Sequence, residues 1–154
     1  MSRDRDARSI RIRVAGVFTR GDEILLVNHV RGSDSYWLLP GGGVDYGESL
    51  AQALEREMLE ECAVKTRAGR LLFVAESIPP DFHRQVFNVT LLGEALEGEA
   101  RLNESGGRLR GVAWKRRSDL PGLVFRPDFK DTLLRHWESG FSLPAQSLGN
   151  VWKD

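Results

Sequence analysis

Apolar residues and arginines alternate from Ile10 to Val14. The run then stays apolar and β-branched to Phe18 (Ile10-Arg-Ile-Arg-Val-Ala-Gly-Val-Phe18), which predicts a strand. Arg20-Gly-Asp22 supplies turn chemistry, and Glu23–Val30 predicts a second strand, so the pair reads as a hairpin. Gly32–Ser35 reads as a loop, and the short apolar stretch Tyr36-Trp-Leu-Leu39 stops at Pro40. Gly41-Gly-Gly-Val-Asp-Tyr-Gly47 predicts a long glycine-rich loop. The period then changes. Ser49 is a helix N-cap, Leu50–Cys62 contains no Gly or Pro, and Ala51, Leu54, Met58 and Cys62 fall in one stripe at helical spacing. Strands are expected around Arg70–Glu76 and Gln85–Glu94, broken apart by Pro79-Pro80. Asn103–Gly107 reads as a loop and Gly111–Lys115 as a short strand. Asp128–Glu138 reads as a second helix, with Phe129, Leu133, Leu134 and Trp137 on its apolar side and Gly140 at its end. The last fourteen residues show no clear period.

This order, mostly hairpin-linked strands with two helices, predicts an α+β fold in which a mixed sheet is clamped between helices, not a doubly wound parallel sheet. Residues 1–9 read as a flexible tail, 10–140 as one domain and 141–154 as a C-terminal extension. A chain of 154 residues buries a real core without disulfides or structural zinc. The charged N-terminus predicts no secretory leader, and no apolar run approaches the roughly 20 residues that a bilayer span needs. Cys62 is the single cysteine, which fits a reducing, cytoplasmic setting. His29, His83 and His136 lack metal-ligand spacing. Trp37, Trp114 and Trp137 read as core, and Phe82 and His83 as an exposed loop.

The formal net charge is zero, which argues against a nucleic-acid polymer as partner. The charge is unevenly spread, however. Between Glu48 and Glu61 there are five acids and one base, whereas Arg108, Arg110, Lys115, Arg116 and Arg117 crowd five positive charges into ten residues. Arg3–Arg13 is also basic. These stretches are solvated faces, a dimer contact or the face that meets phosphates.

Glu57, Glu60 and Glu61 stand at i, i+3 and i+4, on one helix face beside the apolar stripe. Like charges at that spacing repel by a few tenths of a kcal/mol per pair, about 0.2–0.5. They also sit near the helix C-terminus, where the macrodipole disfavours anions. A solvated acidic face tolerates both penalties. A hard divalent cation turns them to use: Mg²⁺ takes a few carboxylates and leaves room for water and phosphate oxygens. The glycine loop alone is not a P-loop, because no Gly-Lys-Ser/Thr follows it.

Together, loop and helix are more specific. Gly42, five residues, Glu48, seven residues, Arg56-Glu57-Met58-Leu59-Glu60-Glu61, then Cys62-Ala63-Val64 resembles the Nudix box, G-x5-E-x7-R-E-U-x-E-E-x-G-U, where U is bulky and aliphatic. Trp37-Leu-Leu-Pro-Gly-Gly42 also resembles the approach to the box. The box covers 23 of the 154 residues. Ala63 replaces the family's second glycine. That position follows the helix as a left-handed cap, where alanine costs about 1 kcal/mol unless the chain leaves by another route. The resemblance to this MutT-like hydrolase family implies an α/β/α sandwich and Mg²⁺-dependent hydrolysis (Mn²⁺ as a substitute) of a nucleoside diphosphate linked to another moiety. Glu57 and Glu61 would then be metal ligands, Glu60 a further ligand or the base, and the Gly41 carbonyl would complete the shell. Arg56 would orient a glutamate, with Glu48 as its ion-pair partner. Glu104 is the candidate base outside the box. The stretch Leu71–Pro80 looks most like that of ADP-ribose pyrophosphatases. A nucleoside triphosphate or dinucleoside polyphosphate substrate, a homodimer, and a non-catalytic nucleotide-binding module are the alternatives.

Overall fold

The computed structural model describes residues 9–103 and 107–153. Its strands are β1 (Arg11–Val17), β2 (Thr19–Arg20), β3 (Glu23–Arg31), β4 (Asp34–Leu38), β5 (Gly41–Gly43), β6 (Lys65–Ser77), β7 (Val86–Glu97), β8 (Leu109–Arg116) and β9 (Gln146–Asn150). The helices are α1 (Leu50–Cys62), α2 (Lys130–Glu138) and a 3-10 turn at Arg117–Gly122. One mixed sheet runs β5-β1-β7-β6-β9; in the other, β3 bonds antiparallel to β2, β4 and β8.

Alternation along the two central strands divides the core. Val14, Leu25 and Val27 face one cluster, which α1 closes with Ala53, Leu54, Met58 and Cys62. Ala15, Val17, Ile24 and Leu26 face the other, which Phe129, Leu133 and Trp137 close from the α2 side. Strands buried on both faces read as continuous apolar runs, as Val14–Phe18 and Ile24–Val27 do. Burying Leu54 and Met58 in full stabilises by about 1.5–3 kcal/mol each. The result is the expected α/β/α sandwich. Among the described residues, no helix is long and apolar enough to cross a membrane.

Three expectations need correction. β1 and β3 do not form a hairpin. β1 lies between β5 and β7, parallel to β7, and only Thr19–Arg20 folds back onto Glu23 and Ile24. Both strands need neighbours on both edges and cover on both faces, so the chain changes sheets at Phe18, whose carbonyl accepts the Leu25 N–H at 2.9 Å. The glycine loop is in part a strand, because Gly41–Gly43 pairs with β1. On the helix, Ala53 rather than Ala51 is buried with Leu54, Met58 and Cys62. The segment 141–154 carries β9, which pairs parallel with β6. Gln146-Ser-Leu-Gly-Asn150 is mostly polar, as an edge strand can be, and shows no alternation to read.

Candidate functional site

The site forms where β5 meets α1. Ser49 starts the helix with a capping box: its hydroxyl accepts the Gln52 N–H at 3.1 Å, and the Gln52 side-chain carbonyl accepts the Ser49 N–H at 2.9 Å. Burial of Leu54, Met58 and Cys62 then fixes the helix rotation and leaves Arg56, Glu57, Glu60 and Glu61 off the core stripe. At the other end Ala63 is left-handed (φ 58°) and its N–H reaches the Leu59 carbonyl at 3.2 Å. The alanine therefore adopts the geometry of the glycine it replaces. Segment 101–103 completes this end. The N–H groups of Arg101 and Asn103 donate to the carbonyls of Cys62 and Glu61, both at 3.0 Å. They satisfy acceptors that a helix end leaves open.

The glycines of β5 permit close approach. A Cβ on Gly41 would collide with the Val14 carbonyl, and one on Gly42 would fall among the carboxylate atoms of Glu57. The Glu57 carboxylate therefore lies directly on the Gly42 backbone.

Arg56 ties these parts together. Its Nε and Nη2 donate to the two oxygens of Glu48 at 2.7 and 2.8 Å, a bidentate pair. Its Nη1 donates to Glu57 at 2.9 Å and reaches Glu60 at 3.3 Å, and its Nη2 also donates to the Gly43 carbonyl at 3.0 Å. Asp45 lies 3.4 Å from the same guanidinium. The Arg56 hydrogen bonds, then the Asp45 N–H, pull the Glu48 carboxyl down to about 2. The Glu48 bond in turn raises Arg56 above its ordinary value. The clamp stays charged on both sides at any working pH. The Glu57 side chain is 14% exposed and that of Glu60 is 53%, so Glu57 is fixed against backbone while Glu60 opens to solvent.

Glu61 is partly buried, and its charge acts on two neighbours. Burial, then the Glu61 charge, pushes the Cys62 thiol up to about 12, so Cys62 is a protonated core side chain. Partial burial lowers Arg13, while Glu61 and Glu57 oppose that shift. Arg13 also donates to the Leu39 carbonyl at 2.8 Å. Arg13, Gly43 and Asp45 belong to this corner and were not singled out from the sequence. The alternation of Arg11 and Arg13 with apolar residues was a strand signal, and nothing local marks the direction in which they project.

The carboxylates and the Gly41 carbonyl offer hard oxygen donors, which suit Mg²⁺ or Mn²⁺ and not a soft metal. Among the described residues, no three His, Cys, Asp or Glu side chains form a ready-made cage. The structure brings Glu48, Arg56, Glu57 and Glu60 together. Glu104 lies outside the described residues; Asn103 before it is bonded to the end of α1, its Nδ2 donating to the Glu60 carbonyl at 3.2 Å.

Comparison with known proteins agrees with this architecture. The family model for the NUDIX domain matches residues 9–136. A human diphosphoinositol polyphosphate phosphohydrolase 3-alpha is 42% identical over 78 residues, a match covering 51% of this chain and 47% of that protein. This chain thus spans about half the length of the curated relatives it matches. Among solved structures, a MutT NUDIX hydrolase from Burkholderia pseudomallei is 28% identical with a TM-score of 0.71, covering 81% of this chain and 96% of that one. An ADP-ribose pyrophosphatase from Streptococcus suis shares the fold at 22% identity and a TM-score of 0.69, covering 90% of this chain and 99% of that one.

Proposed function

This chain belongs to the NUDIX domain family, and on that premise we propose that it is a divalent-metal-dependent pyrophosphohydrolase cleaving a phosphoanhydride in a small phosphorylated substrate. The observation that carries this reading is the Arg56 clamp, which holds Glu48 bidentately and Glu57 against the Gly42 backbone. In this reading Glu57, Glu61 and the Gly41 carbonyl would hold Mg²⁺, with Mn²⁺ as a substitute, and Glu60 would be a further ligand where it does not serve as the base. When bound, the ion would supply charge neutralisation for a diphosphate and would lower the pKa of a coordinated water. The protein's own work is positional and acid–base. Arg56 limits the rotation of Glu57 and Glu60, and Glu48 keeps Arg56 in place. Glu60, open to solvent, accepts the proton of the attacking water; Glu104 is the alternative base.

For substrate we propose a small molecule carrying a phosphoanhydride, with a nucleoside diphosphate linked to another moiety as the first class to test. ADP-ribose is the first member to try, on the likeness of Leu71–Pro80 to ADP-ribose pyrophosphatases. Dinucleoside polyphosphates are the next. A second reading, a diphosphoinositol polyphosphate, is favoured by the curated relatives. The test is a panel of these compounds with the purified protein and Mg²⁺. Mg²⁺-dependent release of phosphate or a phosphorylated product from one class supports the reading. A panel that binds but shows no turnover would make the protein a nucleotide-binding module instead.

A further inference from the structure

The last four carbonyls of an α-helix have no partner inside the helix. In α1 these belong to Leu59, Glu60, Glu61 and Cys62, and each of them has a donor. The Ala63 N–H, next in the chain, reaches only Leu59. The other donors come from the segment that follows β7. Asn103 supplies most of them. Its Nδ2 lies 3.4 Å from the Leu59 carbonyl and 3.2 Å from that of Glu60, and its backbone N–H donates to Glu61 at 3.0 Å. The Arg101 N–H donates to Cys62 at 3.0 Å. Just before them, Ala100 packs against the apolar cluster that α1 closes, so the strap is anchored in the core.

This end of the helix is an unfavourable place for acids. It carries Glu60 and Glu61, and its last turn has no basic residue. The negative pole of the carbonyls therefore meets like charges, with no helix cation to offset it. The strap's N–H groups supply that offset. They do so without a net charge, which matters for a metal site. A lysine here would pair with the carboxylates and compete with a divalent ion, whereas an amide leaves them available. Fraying is the second hazard. Glu57 lies one turn earlier and is fixed by Arg56 and the Gly42 backbone. Opening of the last turn would carry Glu60 and Glu61 away from it. Asn103 is itself exposed, so it contributes to this end of the helix and not to the core.

We infer that Asn103 is a positioning residue for the acidic corner: by closing the last turn of α1 with uncharged donors, it keeps Glu60 and Glu61 in register with Glu57 and raises the affinity for a divalent cation. This deepens the proposed reading and rests on it for the metal, but it needs no substrate and no turnover.

The test is Mn²⁺ binding to the whole chain without substrate, read by electron paramagnetic resonance and set beside thermal unfolding. The wild type should bind Mn²⁺. Asn103→Leu has nearly the same shape without the donor, and should bind about fivefold more weakly, the scale of a charge acting on a helix end. Asn103→Gln keeps an amide donor and should stay near the wild-type affinity. Leu134→Ala loosens α2, which closes the other cluster, and should lower Tm while leaving the affinity unchanged. Wild-type affinity in Asn103→Leu, or affinity losses that follow Tm alike through all three variants, would make the strap merely structural and overturn the inference. A wild type that binds no Mn²⁺ would overturn the metal site along with it. Mn²⁺ binding that depends on Asn103, in a protein that hydrolyses nothing in the panel, would overturn the enzyme reading alone.

Discussion

The acidic corner and a patch of arginines shared by the two sheets are built in opposite ways. Glu48, Arg56, Glu57 and Glu60 lie within thirteen residues, and one helix with its preceding glycines sets their geometry. Arg11, Arg31, Arg84 and Arg108 span almost a hundred residues, and only the arrangement of two sheets collects them. The first region is tied together from within, by one arginine contacting four carboxylates, and keeps a negative excess. The second has charges of one sign acting on each other.

The comparison can be broken from its catalytic side first. Chelating divalent metal should reduce turnover by about a thousandfold or more, with recovery on adding Mg²⁺ or Mn²⁺. A rate that survives the chelator would remove the acidic corner from the chemistry. Next in size is Gly42→Ala. Its Cβ would displace the Glu57 carboxylate, and misplacement by about 1 Å can cost about a hundredfold in kcat. Full activity in that variant would show that the Glu57 position is not critical.

On the arginine side the readout is His29, which burial and then Arg13 and Arg108 hold down. Its pKa in the folded protein, about 4, lies below its ordinary 6.5, so it contributes stability above 6.5 that is lost as pH falls towards 4. Glu48 does the same lower down, between its ordinary 4.5 and about 2. In thermal unfolding, His29→Gln should lose less stability than the wild type between pH 6.5 and 4.

The smallest effect belongs to Ala63→Gly. Relieving a left-handed alanine should stabilise by about 1 kcal/mol, or about 2–4 °C in Tm, with turnover unchanged. A loss of stability would mean that Ala63 earns more from its methyl packing than it loses to strain.

Legibility in the sequence followed the same divide. The helix bounds and the Ser49 cap were readable because each depends on residues a few positions apart, and the Arg56–Glu48 pair was implied by the resemblance of this stretch to the Nudix box. The left-handed turn at Ala63 was readable from its place after the helix. The pairing of β1 with β5 and β7 was not, since alternation marks a strand but not its neighbours. The same limit hid the strand in Gly41–Gly43, where glycine signals a loop and a close approach equally well. Arg84 follows an exposed proline-broken loop, and nothing in its surroundings announces Arg108 as a neighbour.

In the proposed reading the carboxylates of α1 hold the metal and move the proton in phosphoanhydride hydrolysis. The most direct measurement is turnover of the best panel substrate, with Mg²⁺, by Glu57→Gln and Glu61→Gln beside the wild type, all shown to be folded by circular dichroism. Both variants should lose orders of magnitude in turnover with the fold retained. Near-normal rates in both would contradict it.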